Sequence, residues 1–197
     1  VDLNQVLLDK AEANEAVYEH ESGLKIMPSS ISIKDLKKIN PERLVEFKRD
    51  FRKLSDFIIV DSAAGLGIEA ISAMHLADEI IVVTNPEIPA ITDALKAVKM
   101  AESLGKPVIG VIMTRVKKNN LEMDAESVKE MLDVPIIGMI PEHNDIKRSQ
   151  IIKDAIIHTH PKSVPARAYK EIAARILDIP YDSESENDSV CSDKIIL

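Results

Sequence analysis

The residues best placed to do chemistry are Asp61 and the small side chains that follow it. Residues Asp56–Gly67 read DFIIVDSAAGLG. Phe57, Ile58, Ile59 and Val60 form a short, continuous apolar run, the pattern of a buried parallel strand. A carboxylate stands at its C-terminal end, followed by Ser62, Ala63, Ala64 and Gly65. Burying a carboxylate is costly unless it is paired or near a metal. An acid at a strand tip, followed by a loop that allows close backbone approach, suits a Mg²⁺–phosphate site in an α/β sheet. The other reading of Asp61, a helix N-cap or turn residue, needs no ligand.

Strands and helices alternate along the chain. Residues 2–19 read as two short helical pieces, and Leu24–Met27 is a short apolar run ended by Pro28. Asn40, Pro41 and Glu42 are a helix start, with Asn as N-cap and Pro at the first helical position. That helix runs to about Leu54, with Leu44, Phe47, Phe51 and Leu54 on one face. Strands are expected at Phe57–Val60, Glu79–Val83, Val108–Met113 and Ile136–Ile140. Helices are expected at about 67–76, 90–104 (closed by Gly105), 124–132 and 163–177.

About five apolar strands separated by helical patterns predict an α/β fold. Its expected form is a doubly wound, mostly parallel sheet with helices on both faces. Ligands bind such sheets at the C-terminal ends of the strands. Those ends carry Asp61, then Thr84-Asn85-Pro86-Glu87, then Thr114-Arg115, then Pro141-Glu142. No strong strand precedes residues 2–19, so a doubly wound domain that began here would lack its first βα unit.

Composition narrows the function classes. The chain has 197 residues, 45% of them hydrophobic, enough for one ordinary domain with a full core. Aromatic residues are 3% and Trp is absent, so the core must be aliphatic. The net charge is −8. Residues 181–197 carry five acids against Lys194, so half of that charge lies in the tail and the body is acidic too. This is not the basic footprint of a nucleic-acid binder. The single cysteine, Cys191, supports neither a disulfide framework nor a cysteine metal cluster. The apolar runs are far too short for a membrane span, which makes a cytoplasmic protein the expectation. Residues 1–180 are expected to form the domain and 181–197 an acidic, disordered tail.

The ordered pieces resemble the MinD branch of the MinD/ParA family of P-loop ATPases with a deviant Walker A motif. They are Val1–Leu8 (VDLNQVLL), Gly23–Ser29 (GLKIMPS), Pro41–Leu44, the Asp56–Gly67 block, Ala77-Asp78-Glu79 and Thr84–Glu87 (TNPE). Thr92–Leu95, Thr114-Arg115 and Gly138–Glu142 (GMIPE) complete the set. The resemblance covers roughly residues 1–178. It implies a P-loop NTPase-like fold whose first βα units, with a loop of the type KGGVGKT, would lie upstream of Val1. Within the chain only Gly105 precedes a lysine, and Pro107 follows Lys106, which is not a phosphate loop. The expectation is an N-terminally truncated ATPase domain.

The resemblance also implies roles. Asp61 is the Walker B-type carboxylate that holds Mg²⁺, and Gly65 presents its backbone N–H near the γ-phosphate of ATP. Thr114 and Arg115 contact the nucleotide base, against the alternative of a solvated loop start. Pro141 and Glu142 line the adenine; for Glu142 a helix-start acid is an equal alternative. The 90–104 helix matches the surface that the branch uses for regulators, with Asp93 and Lys96 as contact candidates; the alternative is a solvated helix face. His158 and His160 read as a surface turn, and the basic helix near residues 43–53 as a solvated face with i,i+4 pairs. The tail has no basic amphipathic pattern for membrane contact.

Two functions follow. One is an ATP-dependent switch that forms a homodimer on binding ATP and works in cell division, positioning or partitioning. The other is an inactive binding module that binds no nucleotide and keeps only the partner surface. This chain by itself is expected to hydrolyse little or no ATP, because phosphoryl transfer needs cationic and backbone groups placed around the β- and γ-phosphates.

Overall fold

The computed structural model describes residues 1–29, 47–117, 121–181 and 194–196. In chain order the strands are β1 (Tyr18–Glu19), β2 (Lys25–Ile26), β3 (Phe57–Ile59), β4 (Ile80–Thr84), β5 (Val108–Val116), β6 (Ile136–Pro141) and β7 (Lys194–Ile196). The helices are α1 (Leu3–Leu7), α2 (Ile68–Leu76), α3 (Ile88–Ser103), α4 (Ala125–Leu132), α5 (Asn144–Ile152), α6 (Ile156–Thr159) and α7 (Val164–Ile176). Residues 47–51 are also helical, and Ala13–Ala16 make a 3₁₀ turn. The start of the helix expected from Asn40, with Pro41–Leu44, lies outside the described residues. The chain divides into two compact units, Val1–Asp78 with Asn187–Leu197, and Glu79–Glu186.

In the first unit, α1 is opened by Asp2. Its carboxylate accepts from the Gln5 backbone N–H at 2.9 Å, and the Gln5 side chain accepts from the Asp2 N–H at 3.2 Å. This reciprocal cap satisfies two N–H groups that the helix start would leave open. The sheet order is β1-β2-β7-β3. The β1–β2 hairpin is antiparallel, and Gly23 (φ 80°) makes its turn. Strand β7 runs parallel to both β2 and β3. Composition alone places no strand there, because three residues in an acidic stretch carry no readable period.

The core of this unit is Leu3, Val6, Leu7, Ala16, Met27, Phe51 and Leu76, with Phe47, Ile58 and Val60 packed against it. Phe47 and Phe51, one helical turn apart, stack with ring centroids 6.3 Å apart. Strand β3 is not buried on both faces as expected. Ile58 and Val60 pack inward, while Phe57 and Ile59 are 40% and 52% exposed. The side-chain period of two sends alternate residues to opposite faces, and one of these faces stays open. The basic residues at 48–53 do not only pair along their own segment. Lys48 and Arg52 both reach Asp78, at 2.6 and 2.8 Å. The Lys48 hydrogen bond holds the Asp78 carboxyl below its ordinary value; burial, the next-largest effect, opposes it, and Arg52 adds to Lys48.

In the second unit, β4, β5 and β6 form a wholly parallel sheet. Val82, Val111 and Met113 face Ile91, Ala94 and Val98 of α3 and Val128 and Leu132 of α4. The opposite face is covered by α7. There Gly138 pairs with Ile112, and a Cβ on Gly138 would collide with the Ile172 side chain. This parallel sheet with helices on both faces is the α/β architecture expected from the apolar runs. The helix starts are chemically specified as well. Asp124 caps α4 by accepting from Ser127 N–H at 2.9 Å, and Ser163 caps α7 ahead of Pro165. Among the described residues no helix is long and apolar enough to cross a membrane.

Candidate functional site

The first cluster is built by β3. Its last residue is Ile59, and Asp61 follows two positions later at the C-terminal end of the strand. Asp61 is exposed, not buried as the apolar run suggested, because one face of β3 is open. Among the described residues its carboxylate has no ion pair and no side-chain hydrogen bond. It does not cap α2: Gly67 occupies that position, with no side-chain cap. The N-cap reading of Asp61 is therefore not what this geometry shows. Between them the loop holds Ser62, whose hydroxyl donates to the Ala63 carbonyl at 3.1 Å, and Gly65 at φ 87°. A left-handed φ of this size favours glycine, and nothing lies within 4 Å of where a Cβ would stand. The loop thus offers an unpaired acid and an open stretch of backbone to a ligand. Both suit a hydrated Mg²⁺ and a phosphate.

The second cluster lies at the C-terminal ends of β4, β5 and β6. Thr84, 7% exposed, ends β4. Thr114 and Arg115 do not lie in a loop after β5, as the apolar run Val108–Met113 suggested. The strand continues to Val116. They form a bulge: Met113 pairs with Met139 and Val116 with Pro141, so Thr114 and Arg115 together oppose Ile140. Arg115 takes the left-handed conformation, φ 56°, which sends its side chain out to solvent. Thr114 turns the other way, and its hydroxyl donates to the Thr84 carbonyl at 3.2 Å.

Pro141 closes β6, and Glu142 donates its backbone N–H to the Val116 carbonyl at 3.0 Å. Glu142 is not the N-cap of α5; His143 is. Its carboxylate instead faces two lysines, Lys117 at 3.2 Å and Lys147 at 3.7 Å. Lys117, then Lys147, keep the Glu142 carboxyl below its ordinary value. Lys117 is also anchored through its backbone N–H, which Glu122 accepts at 2.8 Å. Sequence reasoning does not reach Lys117, since only the pairing of β5 with β6 brings it beside Glu142. Its one local signal is a lysine two positions past Arg115.

The remaining candidates sort as follows. Asp93 and Lys96 lie on the solvent side of α3 and pair with each other at 2.9 Å. His158 meets Asp154 at 3.2 Å, and His160 meets the Thr159 hydroxyl at 3.0 Å. Among the described residues no group of three or more His, Cys, Asp or Glu could hold a metal. Gly105, the one glycine before a lysine, ends α3 at φ 66°. Lys106 and Gly105 donate their N–H groups to the Ala101 and Glu102 carbonyls, at 2.9 and 3.0 Å. That is a left-handed helix stop, with no free N–H pair for a phosphate.

Comparison with known proteins agrees with this architecture. Residues 44–177 match the family model ParA, described as NUBPL iron-transfer P-loop NTPase. An uncharacterized ATP-binding protein of Methanocaldococcus jannaschii is 34% identical over 184 residues, 93% of this chain and 70% of the relative. The septum site-determining protein MinD from Pyrococcus horikoshii OT3, complexed with Mg-ADP, superposes with a TM-score of 0.79. It is 29% identical, over 89% of this chain and 73% of that one. A MinC:MinD cell division protein complex from Aquifex aeolicus gives a TM-score of 0.76 at 27% identity, over 92% of this chain and 76% of that one. The chain belongs to the MinD/ParA family of P-loop NTPases, on its MinD side.

Proposed function

We propose that this protein is a MinD-like ATP-binding switch, which dimerises with a second copy when ATP is bound and acts in cell division, positioning or partitioning. The observation that carries this reading is the Asp61–Gly65 loop. It places an exposed, unpaired carboxylate and an open glycine backbone at the end of a parallel strand, in a chain of this family.

In this reading Asp61 holds Mg²⁺ through a water, since Mg²⁺ gives up its hydration shell reluctantly. Bound Mg²⁺ would offset phosphate charge. The Gly65 N–H is the donor toward the terminal phosphate. By the family pattern, Thr114, Arg115, Pro141 and Glu142 are assigned to contacts with the base, and Lys117, then Lys147, hold the Glu142 carboxyl below its ordinary value. The Mg-ADP held by the Pyrococcus horikoshii protein supports the choice of ligand. The Asp93–Lys96 face of α3 is the contact for a protein regulator, and the MinC:MinD complex supports that class of partner.

Isothermal titration of the 197-residue chain with Mg·ATP tests the reading. The expected result is micromolar binding that weakens strongly when Mg²⁺ is omitted or when Asp61 is changed to Asn. Absence of binding would favour the nucleotide-free module, which keeps only the α3 surface.

A further inference from the structure

We infer that Lys117 is a positioning residue for the nucleotide base: it ties the ends of β5 and β6 to the loop before α4, and so sets where the Thr114-Arg115 bulge and the Pro141-Glu142 rim stand. The link to the base rests on the function proposed above; the contacts of Lys117 do not.

The bulge has to be held from both sides. Arg115 is a non-glycine residue at φ 56°, a conformation that persists only where its surroundings enforce it. On the N-terminal side Thr114 is fixed by its hydroxyl, which donates to the Thr84 carbonyl at 3.2 Å. On the C-terminal side the last strand pair is Val116 with Pro141, followed by the Glu142 N–H, which donates to the Val116 carbonyl at 3.0 Å. Lys117 then adds two contacts of its own. Its ammonium meets Glu142 Oε2 at 3.2 Å, and its backbone N–H donates to Glu122 Oε2 at 2.8 Å. The residue after Glu122, Met123, donates its N–H to the Pro86 carbonyl at 3.1 Å. A path of contacts therefore runs from the end of β6, through Lys117, to the loop between β4 and α3.

The two lysines at Glu142 differ in what they join. Lys147 reaches Oε1 at 3.7 Å, but it lies on α5, the helix that follows Glu142 in the chain. Its contact joins the end of β6 only to its own next helix. Lys117 reaches Glu142 from β5 and so bridges two strands. With one carboxylate oxygen facing each lysine, residue 142 has its backbone left to offer a base. The place of that backbone then matters more than the charge of the side chain.

Two measurements on the full chain test this. Lys117→Met keeps the stem and the N–H that Glu122 accepts, and removes the ammonium. Without nucleotide, the Glu142 amide should exchange about two- to fivefold faster in this variant, the scale of one exposed ion pair, with Val82 and Val111 unchanged as internal controls. Lys147→Met should accelerate it less, and Lys117→Arg should leave it as in the unmodified chain. In the second measurement, calorimetry with Mg²⁺ compares ATP with inorganic tripolyphosphate, which has the phosphates and no base. Lys117→Met should weaken ATP binding by about the same two- to fivefold and leave tripolyphosphate binding unchanged, and Lys117→Arg should keep ATP affinity. A residue that only stabilises the fold would weaken both ligands alike. Unchanged exchange at Glu142, or an equal loss for the two ligands, would overturn the inference. So would equal ATP binding by the unmodified and substituted chains, which would leave the nucleotide reading standing. An unmodified chain that binds no ATP would instead sink the nucleotide reading, and the role toward the base with it.

Discussion

The Thr114 hydroxyl donates to the Thr84 carbonyl across 3.2 Å and ties the end of β5 to the end of β4. The contact exists because the bulge at Thr114-Arg115 turns two successive side chains in different directions: Thr114 inward to β4, Arg115 outward to solvent. Replacing Thr114 by Val keeps the shape and removes the donor. The expected loss is about 1 kcal/mol, read as a lower urea midpoint, and Thr114→Ser should recover most of it. Nucleotide affinity that falls further than this in Thr114→Val would place the hydroxyl in contact with the base.

Asp61 is predicted to matter for binding and not for folding. Its carboxylate has no partner among the described residues and caps no helix. Asp61→Asn should leave thermal stability within about 0.5 kcal/mol, the usual range for surface changes away from special features. The same variant should lose Mg²⁺-dependent ATP binding in calorimetry. Lower stability with unchanged binding would make Asp61 a turn residue.

Much of this arrangement was legible in the residue order, and what was not has a common cause. The runs Phe57–Val60, Val108–Met113 and Ile136–Ile140 announce strands because they are apolar without a helical period, and Asp124 and Ser163 announce helix starts because their side chains accept from the first turn. The bulge at Thr114-Arg115 has no such local signal. It is set by how β6 pairs with β5, as is the meeting of Lys117 with Glu142. Gly138 is similar: as part of GMIPE it reads as a family mark, yet its immediate physical role is to leave room for Ile172. Strand β7 was invisible because its three residues form a strand only when β2 and β3 are there to pair with.

The Glu142 carboxyl should titrate below an ordinary glutamate because of Lys117 first and Lys147 second. For a depressed carboxylate, the stabilising contribution is complete above the ordinary glutamate value. It is lost as the pH falls through the lower folded-state value. Carboxyl-carbon NMR titration should show this directly. Lys117→Met should return Glu142 toward its ordinary value, and Lys147→Met should do so by less. An equal effect from both lysines would contradict the distances of 3.2 and 3.7 Å.

Gly138 provides a packing test. An added Cβ would run into the Ile172 side chain of α7, which is itself 6% exposed and cannot swing into solvent. Gly138→Ala should therefore destabilise by about 1–3 kcal/mol, the ordinary range for overpacking a filled core. Combined with Ile172→Val the cost should shrink, a coupling expected of residues in contact. Additive effects in the double-mutant cycle would rule out this collision as the cause.

The α3 surface separates a partner contact from a merely solvated face. Asp93 and Lys96 form an i,i+3 pair in which the side chains are 71% and 59% exposed. Exposed pairs of this kind contribute roughly 0–1 kcal/mol, so Asp93→Ala and Lys96→Ala should each leave the urea midpoint nearly unchanged. Swapping the charges, Asp93→Lys with Lys96→Asp, keeps an intrahelical pair while inverting the pattern offered to a partner. If the face is a contact surface, the swap should weaken capture of a MinC-type regulator in surface plasmon resonance by raising the dissociation rate, with folding intact. Unchanged capture by the swapped chain would return this face to solvent and move the partner surface elsewhere on the second unit.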